Sequence, residues 1–187
     1  MAEPRAPVPV LLVTAVFSRH ADVLPLVRAQ LEQTYGPVEK LSPVFVFDQT
    51  KYYATEMGSD LLKQFLAFHD LITPERLPEI KLHTNALERE MAQSGRYPEA
   101  RPVNIDPGYL QLGKFLLATT KDQGHRIYLR DGIFAEVTLR FQAGAFEPWP
   151  WTYADYRQAG VLAFLQEVRA YYHDRLRAAR PGSSAIL

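Results

Sequence analysis

The sequence contains no cysteine, so it can form neither disulfides nor metal sites with thiolate ligands. It also carries no net charge, because 21 basic residues balance 21 acidic ones, and this balance disfavours a broadly basic nucleic-acid-binding protein. No long apolar run is present: the one at 8–17 is too short to span a membrane and lacks the basic flank and cleavage site of a signal peptide. We therefore expect a cytoplasmic protein, bacterial or archaeal, without a membrane partner and with nucleic acid disfavoured as a ligand.

Several motifs of known chemistry are missing as well. No G-x-x-x-x-G-K-[ST] loop is present to hold phosphates, and no G-x-S-x-G sequence points to acyl transfer. No closely spaced pair such as H-x-x-x-H predicts a metal site. The groups that could bind a divalent metal are spread along the chain, at Glu88, Asp106, His125 and Glu136. The motifs therefore assign no reaction and leave the need for a metal open.

The apolar periodicity predicts an α+β fold in a single domain over residues 1–187, with flexible ends at 1–7 and 179–187. Apolar residues recur at helical spacing in three segments, which predicts main helices at 21–35, 74–92 and 153–178. Alternating or β-branched segments predict strands at 8–18, 44–47, 52–57, 61–71, 103–105, 114–120, 125–130 and 133–141. We expect these strands to form antiparallel β-meanders on which the three helices pack.

The last two predicted strands have an arguable register. A three-residue turn at 130–132, ending in glycine in the left-handed conformation, pairs Ile127 with Ala135 and places the apolar residues of both strands on one face. A slip of one residue would move every side chain to the opposite face. The predicted register therefore puts Arg126 opposite Glu136, on the face away from the core.

The strand at 114–120 is predicted to lie directly beside the one at 125–130. A loop at 121–124 would give two cross-strand pairs, Thr120–His125 and Thr119–Arg126. Thr119, Arg126 and Glu136 would then form one row across three adjacent strands. Lys121 and His125 would lie at the mouth of the row, and Tyr128, opposite Phe134, would help to shield it. An arginine shielded in this way, with a lysine and a histidine nearby, is suited to binding an anion.

A second group of polar candidates lies earlier in the chain. In the helix at 74–92, Lys81, Asn85 and Glu88 fall on one stripe beside the buried stripe. Asn104 and Asp106 follow, and the sequence Asp-Pro-Gly at 106–108 is typical of a turn. Both groups also have a structural interpretation, as an exposed helix face and as side chains that bind turn backbone.

Six segments resemble an uncharacterised prokaryotic family, the domain-of-unknown-function family 4416. They are YYATEMG (52–58), IKLHTNALE (80–88), RPVNIDPGYL (101–110), LATTKDQGHRIYL (117–129), IFAEVTL (133–139) and PWTYADYR (150–157). They cover most of the chain in the family's order, and NIDPGY is the family's hallmark. The resemblance implies a single-domain bacterial or archaeal protein and implies no activity.

These observations lead to one main hypothesis about function. We expect a polar cleft on the central meander that binds a small anionic ligand, either a phosphorylated metabolite or a nucleotide. The expected ligand-binding residues are Lys81, Asn85, Glu88, Asn104, Thr119, Lys121, Arg126 and Tyr128. His125 is the acid–base candidate, with Glu136, Asp106 or Glu88 to orient it or to bind a divalent ion.

Two other hypotheses compete with this one. The protein could be a non-enzymatic module that binds RNA or a protein through its aromatic and arginine side chains. Alternatively, the residues Asn85, Thr119, Arg126 and Glu136 could form a purely structural network. An enclosed concave pocket would favour a small molecule, whereas a flat aromatic and basic face would favour a macromolecular partner.

Overall fold

The first strand, β1 (Val10–Ser18), lies in the interior of the sheet, and all nine of its residues are buried. The computed structural model describes residues 3–48 and 53–179. Alternate residues of β1 belong to two different cores, Leu12 and Val16 to one and Leu11 and Val13 to the other. A strand that is covered on both faces needs apolar residues at every position, which explains its continuous apolar run.

Four helices and nine strands follow one another along the described part of the chain. The helices are α1 (Val23–Tyr35), α2 (Ala54–Met57), α3 (Leu77–Gln93) and α4 (Ala159–Ala178), with short 3-10 helices at Pro74–Arg76 and Ala154–Arg157. The remaining strands are β2 (Val38–Leu41), β3 (Phe45–Phe47), β4 (Leu61–Ile72), β5 (Asn104–Gln111), β6 (Lys114–Thr119), β7 (Ile127–Arg130), β8 (Ile133–Gln142) and β9 (Ala145–Pro148).

The strands form one antiparallel sheet in the order β2-β4-β1-β5-β6-β8-β7, with β3 also beside β4 and β9 also beside β8. Helices α1 and α3 pack on one face of this sheet, and α4 packs on the other. The predicted α+β class is therefore confirmed, and so are its three main helices. The last one begins later than predicted, at Ala159, because residues 154–157 form a 3-10 helix.

Strands β5 and β6 separate part of the way along their length. They pair from Gln111–Lys114 to Gly108–Leu117 and no further. Gly108 lies so close to β6 that a Cβ atom would come within 2.0 Å of the Leu116 carbonyl oxygen. The residue before Gly108 is Pro107, which has no N–H and therefore cannot continue the hydrogen bonding between the strands. The first half of β5 therefore pairs with β1 alone.

The prediction of a turn at 106–108 is consequently wrong. These residues are extended, and Asp106 lies opposite Ala15 of β1. Proline is tolerated in a strand where its missing N–H has no strand to face. Helix α3 occupies the vacant edge instead: Glu88 Oε1 accepts the Ile105 N–H at 2.8 Å, and Lys81 Nζ donates to the Ile105 carbonyl at 2.9 Å. Two side chains thus satisfy backbone groups that a neighbouring strand would otherwise satisfy.

The hairpin of β7 and β8 has the predicted pairing but not the predicted turn. Ile127 lies opposite Ala135, which confirms the register. Arg130, however, pairs directly with Ile133, across a two-residue turn in which Asp131 and Gly132 have φ of 54° and 74°. The prediction placed a third residue in the turn, but in the structure the extra residue is a bulge at Leu129. The bulge gives the rest of the two strands the predicted register.

The predicted neighbour of β7 is wrong, because β8 lies between β6 and β7 and Thr119 pairs with Phe134. The expected pairs Thr120–His125 and Thr119–Arg126 do not form. Strand β7 is at the sheet edge, and its Ile127 is 71% exposed although it points to the same face as the buried Ala135. Strand β7 has only four residues, all exposed, whereas β8 pairs with the whole length of β6, from Lys114–Arg140 to Thr119–Phe134.

One smaller prediction also needs comment. The strand predicted at 52–57 is instead helix α2, because Met57 alone among its residues is buried and Gly58 ends the helix at φ 80°. Before the last helix, the Thr152 hydroxyl donates to the Thr138 carbonyl at 2.5 Å. Residues 1–2, 49–52 and 180–187 lie outside the described part of the chain, and with them Tyr52 and most of the ends predicted to be flexible.

Candidate functional site

A cavity of about 330 Å³ opens where β5 and β6 separate, which is within the size range of small-molecule sites. Its walls come from both halves of the chain and from both faces of the sheet. Strands β1, β4, β5, β6 and β8 supply the walls, α3 reaches in through the gap between β5 and β6, and the 3-10 segment at 153–156 contributes from the α4 side.

One wall of the cavity is set by the register of three strands. Lys63 of β4 lies opposite Phe17 of β1, and Phe17 lies opposite Asn104 of β5. Asp106 is two residues beyond Asn104, so it points to the same face. That face is the α4 side, because Ala15, opposite Asp106, belongs to the core under α4. The sequence thus places a cation, an amide and a carboxylate side by side on one face.

Lys63 is a buried cation that the sequence reading did not single out. Its Nζ lies 2.5 Å from Asp155 Oδ2 and 4.6–5.4 Å from the centroids of four aromatic rings. Ring faces and a carboxylate both stabilise an ammonium group. One signal was present in the sequence. Lys63, Phe65 and Ala67 are alternate residues of β4 and therefore point to the same face, where Phe65 and Ala67 are buried. Asp155 is 92 residues away, and nothing local links it to Lys63.

Arg126 and Glu136 lie together on the cavity wall, as predicted from the hairpin register. Arg126 Nε donates to Glu136 Oε2 at 2.8 Å, and both side chains are 1% exposed. The other guanidinium nitrogens donate to the Lys121 carbonyl at 3.1 Å and to the Tyr153 hydroxyl at 2.7 Å. These contacts fix the guanidinium plane at the cavity. Lys121 and Thr119 also line the cavity, as expected.

Three of the predicted residues are not part of the cavity wall: His125, Tyr128 and Glu88. His125 Nε2 is 3.1 Å from Glu136 Oε2, and its ring stacks on Trp151 with centroids 5.2 Å apart. It is thus in contact with a residue of the cavity wall but is not part of the wall. Tyr128 is 58% exposed on β7 and packs against Phe134, so it is not brought to the site.

The candidates on α3 and β5 divide into two kinds. Lys81 and Asn85 line the cavity, whereas Glu88 lies behind it and holds Arg101 at 2.8 Å. Arg101, which the sequence reading did not single out, donates in turn to Asn104 Oδ1. This contact fixes the Asn104 amide so that its nitrogen cannot exchange places with its oxygen.

Two buried donors on the cavity wall have no partner in the described part of the chain, Asn104 Nδ2 and the Tyr156 hydroxyl. Burial raises the pKa of Tyr156 well above its ordinary value of 10.0, so the hydroxyl keeps its proton. Burial opposes ionisation of Asp106, but Lys81, Lys63 and Arg101 outweigh it and lower the pKa of that carboxyl. For Glu88 burial is the larger effect, and it raises the pKa despite Lys81 and Arg101.

Charged side chains on the cavity wall are mostly paired, and the partner of Arg101, Glu88, lies behind the wall. Five cations, Lys63, Lys81, Arg101, Lys121 and Arg126, stand against three carboxylates, Asp106, Glu136 and Asp155. Over residues 3–48 and 53–179, no three His, Asp or Glu side chains form a cluster that could hold a metal ion. The four dispersed groups considered as metal ligands therefore do not come together as one site.

The comparisons with known proteins identify a family but no function. The sequence model of the family described as "Domain of unknown function (DUF4416)" matches residues 8–172. No curated protein and no solved structure matches the chain. None of the helices within the described ranges has the length and apolar character needed to cross a bilayer.

Proposed function

The chain belongs to the DUF4416 family, whose function is unknown, and we propose that its cavity binds a small anionic ligand, a phosphorylated metabolite or a nucleotide. The observation that carries this proposal is the surplus of donors on the cavity wall. Two buried N–H and O–H groups lack acceptors among the described residues, and five cations line the same wall. A ligand rich in anionic oxygens supplies the missing acceptors and suits a wall rich in cations.

The energetics support a ligand more strongly than an empty site. A buried donor without an acceptor costs about 1–3 kcal/mol, so two such groups on one cavity wall are a substantial cost. Asn104 and Tyr156 are both almost completely buried. A bound oxygen acceptor, from a ligand or from water, would remove that cost. Retaining both donors beside a cavity is expected where they recognise something.

Arg126 is the principal anchor in this proposal. Its guanidinium has five N–H groups, and the three described hydrogen bonds leave part of this capacity for a ligand. Lys121 and Thr119 line the same end of the cavity. An acid–base role for His125 would act through Glu136, because Glu136 contacts both the cavity and the imidazole.

The concave shape of the cavity, which is open on one side and has walls from several strands and from α3, favours a small molecule over the alternative of an RNA- or protein-binding face. The purely structural hypothesis is supported in part, since Lys63, Lys81 and Arg126 each contact a carboxylate. It does not account for the two unpartnered donors or for the cavity beside them.

The proposal can be tested with a matched pair of tyrosine variants. Wild-type protein is first titrated calorimetrically with inorganic phosphate, pyrophosphate, ribose 5-phosphate and nucleoside monophosphates. We then expect Tyr156→Phe to keep or raise the melting temperature, because it removes a buried donor without a partner, and to weaken binding by about tenfold. Tyr172→Phe is the control: it removes a hydroxyl that donates to the Pro9 carbonyl at 2.7 Å, and neither residue is part of the cavity wall.

The control variant should lose about 1 kcal/mol of stability and bind the ligand normally. No binding of any phosphorylated compound to the wild type would overturn the proposal. So would a Tyr156→Phe variant that is destabilised like Tyr172→Phe but binds as well as the wild type.

A further inference from the structure

The cavity contains carboxylate acceptors that an anion alone would leave without donors. Asp155 uses Oδ2 to hold Lys63 at 2.5 Å, and Asp106 uses Oδ1 to hold Lys81 at 3.2 Å. Within the described ranges, these are the hydrogen bonds that the two carboxylates accept, and both residues line the cavity, where their second oxygens are open to a ligand. A phosphate group placed against these oxygens would be repelled, so a different part of the ligand must face them.

The position of Lys63 limits what that part can be. Its ammonium group contacts Asp155 and also lowers the pKa of Asp106, so it acts on both carboxylates. A divalent cation or an amine placed between them would be repelled by the same ammonium group. The remaining donors are uncharged O–H and N–H groups. The adjacent wall also carries the two unpartnered donors of Asn104 and Tyr156, which require acceptors.

A hydroxyl group meets both requirements, because it donates one hydrogen bond and accepts two. Asn104 and Asp106 are alternate residues of β5, so their Cα atoms are about 7 Å apart. Asp155 and Tyr156 come from the other side of the cavity, on the 3-10 helix at Ala154–Arg157. A hydroxyl has a single hydrogen to donate, so the two carboxylates require at least two hydroxyls, which neighbouring carbons of a sugar supply.

We infer that the ligand carries neighbouring hydroxyl groups, as a sugar phosphate or the ribose of a nucleotide does, and that Asp106 and Asp155 accept hydrogen bonds from them. This inference rests on the proposed anion binding and adds the chemical class of the ligand. Carboxylates are the usual acceptors for ribose hydroxyls in dinucleotide sites, which shows that the chemistry is suitable. The anionic group then lies towards Arg126 and Lys121.

The test compares phosphate esters that differ in their hydroxyl groups. Wild-type protein is titrated with ribose 5-phosphate, 2-deoxyribose 5-phosphate and propyl phosphate, and separately with AMP and dAMP. We expect each removal of a hydroxyl to weaken binding by about tenfold or more, because a carboxylate oxygen on the cavity wall then loses its donor. The nucleotide arm decides the source of the sugar: equal binding of ribose 5-phosphate and AMP indicates a free sugar phosphate, and tighter binding of AMP indicates a nucleotide.

A variant ties this preference to the proposed residues. Asp155→Asn keeps an oxygen for Lys63 but replaces the acceptor with a donor, so the variant should lose its preference for ribose 5-phosphate over propyl phosphate. Asp106→Asn is a second variant with the same expectation, should Asp155→Asn fail to fold. Glu147→Gln, an exposed carboxylate beside Arg140, is the control and should keep the wild-type preference.

The possible outcomes separate this inference from the proposed function. Equal affinity of the wild type for all the phosphate esters would overturn the inference and leave anion binding in place. An unchanged preference in both Asp→Asn variants would overturn the assigned residues. Failure of every phosphorylated compound to bind would overturn the proposed function, and the inference with it.

Discussion

Two arginine–glutamate pairs connect strand β8 to its neighbours, and they differ in burial rather than in geometry. The nitrogen–oxygen distance is 2.8 Å both in Arg126–Glu136 and in Arg140–Glu147. The side chains of the first pair are 1% exposed, whereas those of the second are 42% and 38% exposed. The first lies on the cavity wall, and the second lies outside it, near β9.

This difference decides what each pair can contribute. An exposed ion pair is screened by water and contributes less than about 1 kcal/mol. A buried pair adds little net stability, but removal of one partner leaves an uncompensated charge in the interior. The Lys81–Asp106 pair is intermediate, at 6% and 25% exposure. The three pairs therefore form a series of decreasing burial. We expect the effect of changing a pair on stability and on ligand binding to decrease in the same order.

The largest effect is expected from removing the carboxylate of the buried pair. Glu136→Ala should lower the free energy of unfolding by about 3–5 kcal/mol, because Arg126 would then be buried without its counter-charge. His125, which also contacts Glu136, would lose its partner as well. Urea denaturation followed by circular dichroism measures this loss.

The control for that measurement is Glu147→Ala, which should cost less than about 1 kcal/mol. A double variant, Arg126→Met with Glu136→Leu, should recover most of the stability lost in Glu136→Ala, since neither charge remains. Equal losses in Glu136→Ala and Glu147→Ala would show that burial does not separate the two pairs.

The next effect concerns ligand binding rather than folding. Arg126→Lys should weaken binding of the best phosphate compound by about tenfold, or 1.4 kcal/mol. An ammonium group cannot keep the planar set of contacts that the guanidinium makes with Glu136, Lys121 and Tyr153 while also binding an anion. Arg140→Lys should leave the dissociation constant unchanged. Calorimetric titration of both variants distinguishes an anchor in the cavity from a general effect of arginine on charge.

The sequence was most informative over short separations. Arg126 and Glu136 are ten residues apart in one hairpin, and the alternation of apolar residues was enough to bring them together. The helical stripe of Lys81 and Asn85 was also found, because helical spacing is local. The prediction of a three-residue turn at 130–132 was wrong. A two-residue turn with a bulge at Leu129 pairs the rest of the two strands in the same register, so apolar alternation does not distinguish the two arrangements.

The failures that affect the cavity concern which segments become neighbours. Lys63 and Asp155 meet only because the 3-10 helix before α4 returns to β4, and no local pattern encodes that return. The position of β7 was wrong because apolar alternation does not reveal that β8 is needed beside β6. Pro107-Gly108 resembles a turn locally, and only the presence of β1 alongside keeps it extended. Burial between distant segments, and not propensity, decided each of these cases.

The contribution of the intermediate pair, Lys81–Asp106, should be measurable from the pH dependence of stability. Because the pKa of Asp106 is lowered in the folded protein, its contribution to stability is present above the ordinary value of 3.8 and is lost as the pH falls through the lower folded pKa. Asp106→Asn should therefore lose less stability than the wild type when the pH falls from about 6 to about 2. Asp131→Asn, an exposed carboxylate beside Arg130, should follow the wild-type curve. A steeper acid dependence in Asp106→Asn would contradict the sign of the shift.

The smallest effect is expected at the exposed residue Ile127, and it tests whether the same rule of burial holds for apolar side chains of the hairpin. Ile127 and Ile133 flank one turn, yet Ile127 is 71% exposed and Ile133 is 1% exposed. Ile133→Ala should cost about 2–5 kcal/mol, whereas Ile127→Ala should change stability by no more than about 0.5 kcal/mol. Chemical denaturation of both variants at low and high protein concentration gives the comparison. A large loss in Ile127→Ala that grows with concentration would mean that the edge of β7 is covered by a second copy, and a concentration-independent loss would mean that β7 is buried within the chain.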